Sequence, residues 1–169
     1  DMNLAKKHLA ESKCYPQILN QTLELRMRAD DENKAKGQVI AQYLKNLGLK
    51  ISILPMEKTK LYKENGEKKG DFTLLTWYID YDSIYNFIDP LFAKDSFGNG
   101  GNRSFYSNPQ IEDYIRQIRI NPEAATDPVK IVQLLKEDYP WIFLWSIHEN
   151  YVLSTKATQF PELIQLLIQ

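Results

Sequence analysis

The pattern that most restricts this chain is a repeated switch in apolar spacing across its first 77 residues. In "NLAKKHLAES", Leu4, Ala5, His8 and Leu9 fall at helical intervals with lysines opposite. "TLELRMRAD" then alternates Leu23, Leu25 and Met27 with Glu24, Arg26 and Arg28, the period of a half-buried strand. Asp30, Asp31 and Asn33 offer caps for a helix through "ENKAKGQVIAQYLKNLGL". Val39, Ile40, Tyr43, Leu44 and Leu47 would form its apolar face, and Gly48 its stop. "KISILPM" predicts a strand ended by Pro55, followed by a short helix around Leu61 and a turn at Asn65-Gly66. The apolar run from Phe72 to Trp77 predicts a buried strand. Helix and strand alternate three times, which implies an α/β layered lobe with at least partly parallel strands.

The second half changes character. "DSFGNGGNRSFYSNP", residues 95 to 109, has the composition of a flexible loop. "NPQIEDYIRQIRI" and "TDPVKIVQLLKEDYP" predict two helices, each opened by a polar residue and a proline. "WIFLWSI" predicts a buried strand with Trp141 and Trp145 on one face, "NYVLS" a short second strand, and "FPELIQLLIQ" a terminal helix.

Bulk properties exclude several classes. At 169 residues, with 43% hydrophobic and 25% charged residues, the chain suits one domain or one large lobe. A net charge of -1 lacks the basic surplus of nucleic-acid binders, so no nucleic-acid partner is expected. No apolar run reaches the length of a membrane helix. Cys14 is the only cysteine, so there is no disulfide framework, and a small structural role is expected for it. The chain opens inside a helical pattern without an initiator methionine, as expected of a piece of a longer protein. Gly-x-Ser-x-Gly, P-loop and His-Glu-x-x-His patterns are all missing, and "GNGGN" lacks the Lys-Ser/Thr of a phosphate cradle. His8 and His148 stand far apart without metal-ligand spacing. No enzyme activity, cofactor or metal is therefore expected.

"DFTLLTWYIDYDSIYNFIDPLF", residues 71 to 92, raises the functional question. Asp80 follows an apolar run and is flanked by Tyr78 and Tyr81. An aspartate in such a place serves either as a turn or cap residue or as the counter-charge for a cation. In α/β layers, ligands gather at the C-terminal ends of strands, where Asp80 would lie.

Five stretches, taken in order, resemble the C-terminal lobe of the family 5 extracellular solute-binding proteins. These are the oligopeptide- and dipeptide-binding components of ABC importers. "LAKKHLAES" is similar to the family's Ala-Lys-x-Leu-Leu helix, and "VIAQYLKNLGLKISI" to its long helix followed by Leu-Lys-x-Gly-Ile-x-Val. "KGDFTLLTWYIDY" resembles the Gly-Asp-Tyr-Asp-Leu…Trp-x-x-Asp-Tyr strand, and "NRSFYSNPQIEDYI" the Asn-x-x-x-Tyr-x-x-Pro-x-x-Asp-x-Leu-Ile stretch. "LLKEDYPWIFLW" resembles Ile-Leu-x-Glu-Asp-x-Pro-x-Ile-Pro-Leu, with Phe143 or Leu144 where the late proline stands.

The resemblance implies a periplasmic-binding-protein-like (type II) α/β lobe, a central mixed sheet flanked by helices. Residues 1–155 would form the C-terminal ligand-binding lobe and 156–169 a tail or helix, with an N-terminal lobe outside this chain. It implies an oligopeptide ligand held between two lobes, its main chain paired strand against strand with the segment from Thr73 to Tyr78. The Trp-x-x-Asp acid, here Asp80, would pair with the peptide's α-amino group. The rings of Trp77, Tyr78 and Tyr81 would border side-chain pockets, and Thr76 is a ligand-binding candidate within the paired strand. Asn102 and Arg103 are further candidates, the arginine as partner for a ligand carboxylate. ABC permease subunits are the implied partners, and the implied location is periplasmic or cell-surface, with a lipid anchor outside this chain. Relatives that carry metal chelates, sugars or opines give the alternative ligand classes. A hydrolase lobe, or a signalling or adhesion protein on the same fold, gives the alternative roles.

Overall fold

The computed structural model describes residues 1–80, 83–121, 128–146 and 154–156. The chain divides into two compact units, Asp1–Thr76 and Trp77–Gln169. The expected "NYVLS" strand falls almost wholly outside the described residues, and the terminal helix and Tyr81 wholly outside them.

In the first unit, α1 (Met2–Glu11) starts at Asp1, whose carboxylate accepts from the N–H groups of Asn3 and Leu4. There follow β1 (Thr22–Arg28), α2 (Asp31–Asn46), β2 (Lys50–Met56), α3 (Lys58–Gly66) and β3 (Phe72–Thr73). The strands form a three-stranded sheet in the order β2-β1-β3, and both pairings are parallel. Parallel neighbours need a crossover, and α2 and α3 supply the two connections. The α/β lobe with a parallel sheet and flanking helices is thus present as the alternating periodicity requires.

Leu23, Leu25 and Met27 are buried, as the period-two pattern demands, and pack with Ala41, Leu49 and Ile51. The core-facing stripe of α2 is not the expected one. Val39 and Tyr43 are 58% and 63% exposed, while Gly37 and Ala41 are buried and Ile40 and Leu44 pack against the core. The cause is a close approach of helix to sheet: a Cβ on Gly37 would stand 2.3 Å from Met27 Sδ. The helix turns its smallest residues to the strand, and the larger apolar ones rotate outward.

The third strand is much shorter than the apolar run suggests. β3 pairs only Phe72 and Thr73 with Leu25 and Arg26, and Leu74 N–H donates once more to Arg26 O at 2.8 Å. Leu74, Leu75 and Trp77 are half-buried and Thr76 is exposed, so this is not a buried strand. The segment leaves the sheet because it must carry the chain from the first unit into the second at Thr76–Trp77.

The second unit is helical in its described residues: α4 (Tyr85–Phe92), α5 (Pro109–Ile120) and α6 (Pro128–Asp138). Its core joins Ile88, Leu91 and Phe92 to Ile111, Ile115 and Ile118, closed by Ile131 and Leu135. Asn108 caps α5, its Oδ1 accepting from Gln110 N–H at 2.8 Å. The glycine-rich segment is built rather than loose. It folds as two short 3-10 turns, Lys94–Ser96 and Gly98–Gly100, with a bridge between Phe97 and Asn102.

"WIFLWSI" does not form a buried strand over its described residues. Trp141 packs edge-on against Phe92 at 5.7 Å, but Ile142, Phe143, Leu144 and Trp145 are exposed and lie outside any strand. An apolar run is buried only where a ladder partner and a covering layer exist, and the described residues supply neither there. No helix among the described residues is long and apolar enough to cross a membrane.

Candidate functional site

The second unit carries an open cavity of about 310 Å³ whose lining includes Trp77, Asp80, Tyr85, Asn86, Asp89 and Arg119. Four parts of the chain build it, Arg119 coming from α5 and Ser96 from the turn Lys94–Ser96. The segment from Trp77 to Asp80 forms one side, and α4 supplies Tyr85, Asn86 and Asp89 at the spacing that puts Tyr85 and Asp89 one turn apart. Ile88, Leu91 and Phe92 anchor the opposite face of α4 in the core.

Hydrogen bonds decide which charges are free. Arg119 Nε donates to Asp89 Oδ2 at 3.1 Å, and its Nη1 and Nη2 donate to the two oxygens of Asp95 at 2.6 and 2.9 Å. Hydrogen bonds from Asp95 first, and from Asp89 next, hold the guanidinium charged well above its ordinary range. The Arg119 hydrogen bond holds the Asp95 carboxyl below the usual carboxylate range. Tyr85 donates its hydroxyl to Asp89, and burial, followed by that bond, pushes the phenol up. Asp89 and Asp95 therefore answer Arg119. The carboxylate of Asp80 makes no hydrogen bond or ion pair among the described residues, and Asp80 is exposed on the cavity wall. Only its main-chain N–H is engaged, donating to Asn86 Oδ1 at 3.0 Å.

Trp77 is half-buried against the second unit's core, and its indole N–H donates to Asn86 O at 3.1 Å. Its ring is thereby fixed with the polar edge turned to α4. Tyr78 is 61% exposed. Thr76 is exposed and closes the first unit, and Tyr81 lies outside the described residues.

Asn102 and Arg103 do not line the cavity. Asn102 is fully buried, with Nδ2 donating to Ala93 O and Tyr106 O while Oδ1 accepts from Ser104 Oγ and Tyr106 N–H. All the hydrogen-bonding capacity of its amide is used within the loop. Arg103 is half-buried, and its Nη1 reaches Gly101 O at 3.5 Å. The structure thus brings Trp77 and Asp80 together and makes Asn102 the organiser of a different loop. Asn86, Asp89 and Arg119 were not legible as site residues. The signal that marks α4 is Ile84, Ile88 and Leu91 at helical spacing, masked by the surrounding tyrosines and by Pro90. Among the described residues no three His, Cys, Asp or Glu side chains gather as a metal site.

No family model matches the chain. Solved structures do. The periplasmic binding protein DppA of Helicobacter pylori, in complex with the peptide STSA, superposes with a TM-score of 0.70 at 22% identity, over 83% of this chain and 28% of that one. The fold is part of the one shared by periplasmic peptide-binding proteins. The murein tripeptide-binding protein MppA of Escherichia coli matches that same fold with a TM-score of 0.70 at 20% identity, over 82% of this chain and 27% of that one. In sequence, the probable D,D-dipeptide-binding periplasmic protein DdpA of Escherichia coli (strain K12) is 25% identical over 118 residues. That match covers 66% of this chain and 22% of the relative, so the chain spans between 22% and 28% of the length of these three proteins. The fold agrees with the one that the sequence resemblance implies.

Proposed function

We propose that residues 1–155 contribute the ligand-binding lobe of a peptide receptor for an ABC importer, with Asp80 as counter-charge for the ligand's α-ammonium group. The observation that carries this reading is the uncompensated Asp80 carboxylate beside the fixed indole of Trp77, on a cavity whose arginine is already engaged by two other carboxylates. An exposed carboxylate costs little to keep unpaired in the open state. When closure excludes water, an ammonium partner adds a charge-assisted bond of roughly 1.5–3 kcal/mol.

The segment between the two units supports recognition of the ligand's main chain. Leu75 to Ile79 make no backbone hydrogen bonds among the described residues, so their N–H and C=O groups are available to an added strand. Thr76 and Tyr78 would present side chains along that strand, and Trp77 and Tyr81 would wall the pockets. Asn102 would act indirectly, by holding its loop. Arg103 is retained as a candidate partner for a ligand carboxylate. The whole protein would bind by closure of two lobes, dock on permease subunits, and work in the periplasm or at the cell surface on a lipid anchor. Its role is capture rather than catalysis.

Calorimetry on the full-length protein with tetra-alanine and its N-acetylated form tests this. Acetylation should weaken binding about 10- to 100-fold in the wild type, and Asp80→Asn should remove most of that difference. Equal affinities for the two ligands in the wild type would return Asp80 to a turn residue and direct the search to non-peptide solutes.

A further inference from the structure

Trp77 and Asp80 are both tied to one residue that no motif singled out. Asn86 receives the indole N–H of Trp77 on its main-chain carbonyl at 3.1 Å and the main-chain N–H of Asp80 on its side-chain Oδ1 at 3.0 Å. It lies in the first turn of α4, is 6% exposed, and its own N–H donates to Ser83 O at 3.0 Å. The donor fixes the orientation of the amide, because a main-chain N–H can be received only by Oδ1. α4 is rooted in turn by Ile88, Leu91 and Phe92, so the anchor is rigid.

We propose that Asn86 is a positioning residue for Asp80: it clamps the Trp77–Asp80 turn onto α4, so that carboxylate and indole meet the ligand as a preformed pair. This rests on the reading of Asp80 as the ammonium counter-charge. The need for a clamp follows from what precedes the turn. Leu75 to Ile79 have no backbone hydrogen bonds of their own among the described residues, so nothing in the ladder holds Asp80 in place. Without Asn86 Oδ1, Trp77 would keep its bond to the main-chain carbonyl, but the Asp80 end of the turn would be ordered only when ligand binds. Fixing about one residue's backbone at that moment is equivalent to roughly a tenfold loss of affinity. That loss would fall on the ammonium contact, which depends on where the carboxylate stands.

The test combines amide hydrogen exchange with calorimetry on the full-length protein as wild type, Asn86→Leu and Asn86→Asp. Leucine keeps the branched skeleton and removes the acceptor, while aspartate keeps an acceptor oxygen. The expected result is that Asp80 N–H exchanges about tenfold or more faster in Asn86→Leu and near the wild-type rate in Asn86→Asp. The affinity ratio of tetra-alanine to its acetylated form should fall about tenfold in Asn86→Leu and return in Asn86→Asp. A wild-type ratio that survives Asn86→Leu overturns the positioning role while leaving the ammonium reading intact. A wild type with no ratio at all overturns the ammonium reading and with it any ligand role for Asn86, whatever the exchange rates show. Should Asn86→Leu fail to fold, Asn86→Ala is read by the same two measurements.

Discussion

Arg26 Nη1 donates to Glu64 Oε2 across 2.9 Å, joining the middle of β1 to α3. The same guanidinium donates through Nε to Glu24 Oε2 at 2.9 Å, and Arg26 as a whole is 8% exposed. A charge this deep depends on both partners, because losing one leaves it partly uncompensated away from water. Glu64→Ala should therefore cost about 1.5–3 kcal/mol. The double substitution Arg26→Met with Glu64→Leu should cost less than Glu64→Ala alone, since it removes the buried charge and its more buried partner and leaves only Glu24, whose side chain is 41% exposed to water. Urea unfolding followed by circular dichroism ranks the three proteins, and the opposite order would sink the argument.

Gly101 and Gly100 offer a matched pair in the second unit. Gly101 has φ +129°, and a Cβ there would lie 2.4 Å from the carbonyl oxygen of Pro90. Neither the backbone conformation nor the carbonyl can yield cheaply. At Gly100 the nearest atom would be Ser96 Cβ at 3.3 Å. Gly101→Ala should lower stability by roughly 2 kcal/mol or more, and Gly100→Ala by well under 1 kcal/mol. Thermal melts of the two variants measure this, and equal losses would show that the Pro90 contact carries no weight.

Asp138 accepts from Tyr106 Oη at 2.5 Å and Asn108 Nδ2 at 2.7 Å, which pins the end of α6 to the start of α5. Those bonds, the tyrosine's first, hold the Asp138 carboxyl below its ordinary range. A depressed carboxyl stabilises the fold above its unfolded value of about 3.9, and that stabilisation is lost as pH falls through the folded value. Burial, and then the bond to Asp138, push the Tyr106 phenol up. A raised phenol stabilises fully below about pH 10, and that contribution is lost as pH rises further, when the unfolded chain ionises first. Melting temperature plotted against pH should thus fall below about pH 4 and above about pH 10. Tyr106→Phe should flatten the alkaline limb and shift the acid one. Superimposable curves for wild type and variant would show that this contact has no part in either limb.

Much of the first unit was legible because its signals are local. β1 carries its apolar residues at a period of two, and Asp30 caps α2 as its position before Asn33 suggests. What spacing could not give was the side of α2 that meets the sheet. That depends on the approach allowed by Gly37 over Met27, a contact between residues ten positions apart in sequence. Arg26 misled in a similar way. Alternation put it on the polar side of β1, yet α3 covers that side and brings Glu64 to meet it. At the site, Asp80 stood out as an acid among rings. Asn86, Asp89 and Arg119 did not: Asn86 acts by receiving N–H groups of Trp77 and Asp80, which no spacing marks, and Asp89 meets Arg119 only through the packing of α4 on α5.

The order of strands in the first unit has a consequence for how the chain is made. β1 lies between β2 and β3, yet it leaves the ribosome before either. Until Met56 has emerged, β1 has neither lateral partner, and its second edge stays open until Thr73 follows. During that interval the nascent chain presents a strand with Leu23, Leu25 and Met27 on one face, the kind of surface that a trigger-type chaperone would shield. Pausing of translation between β2 and β3 would lengthen that exposure.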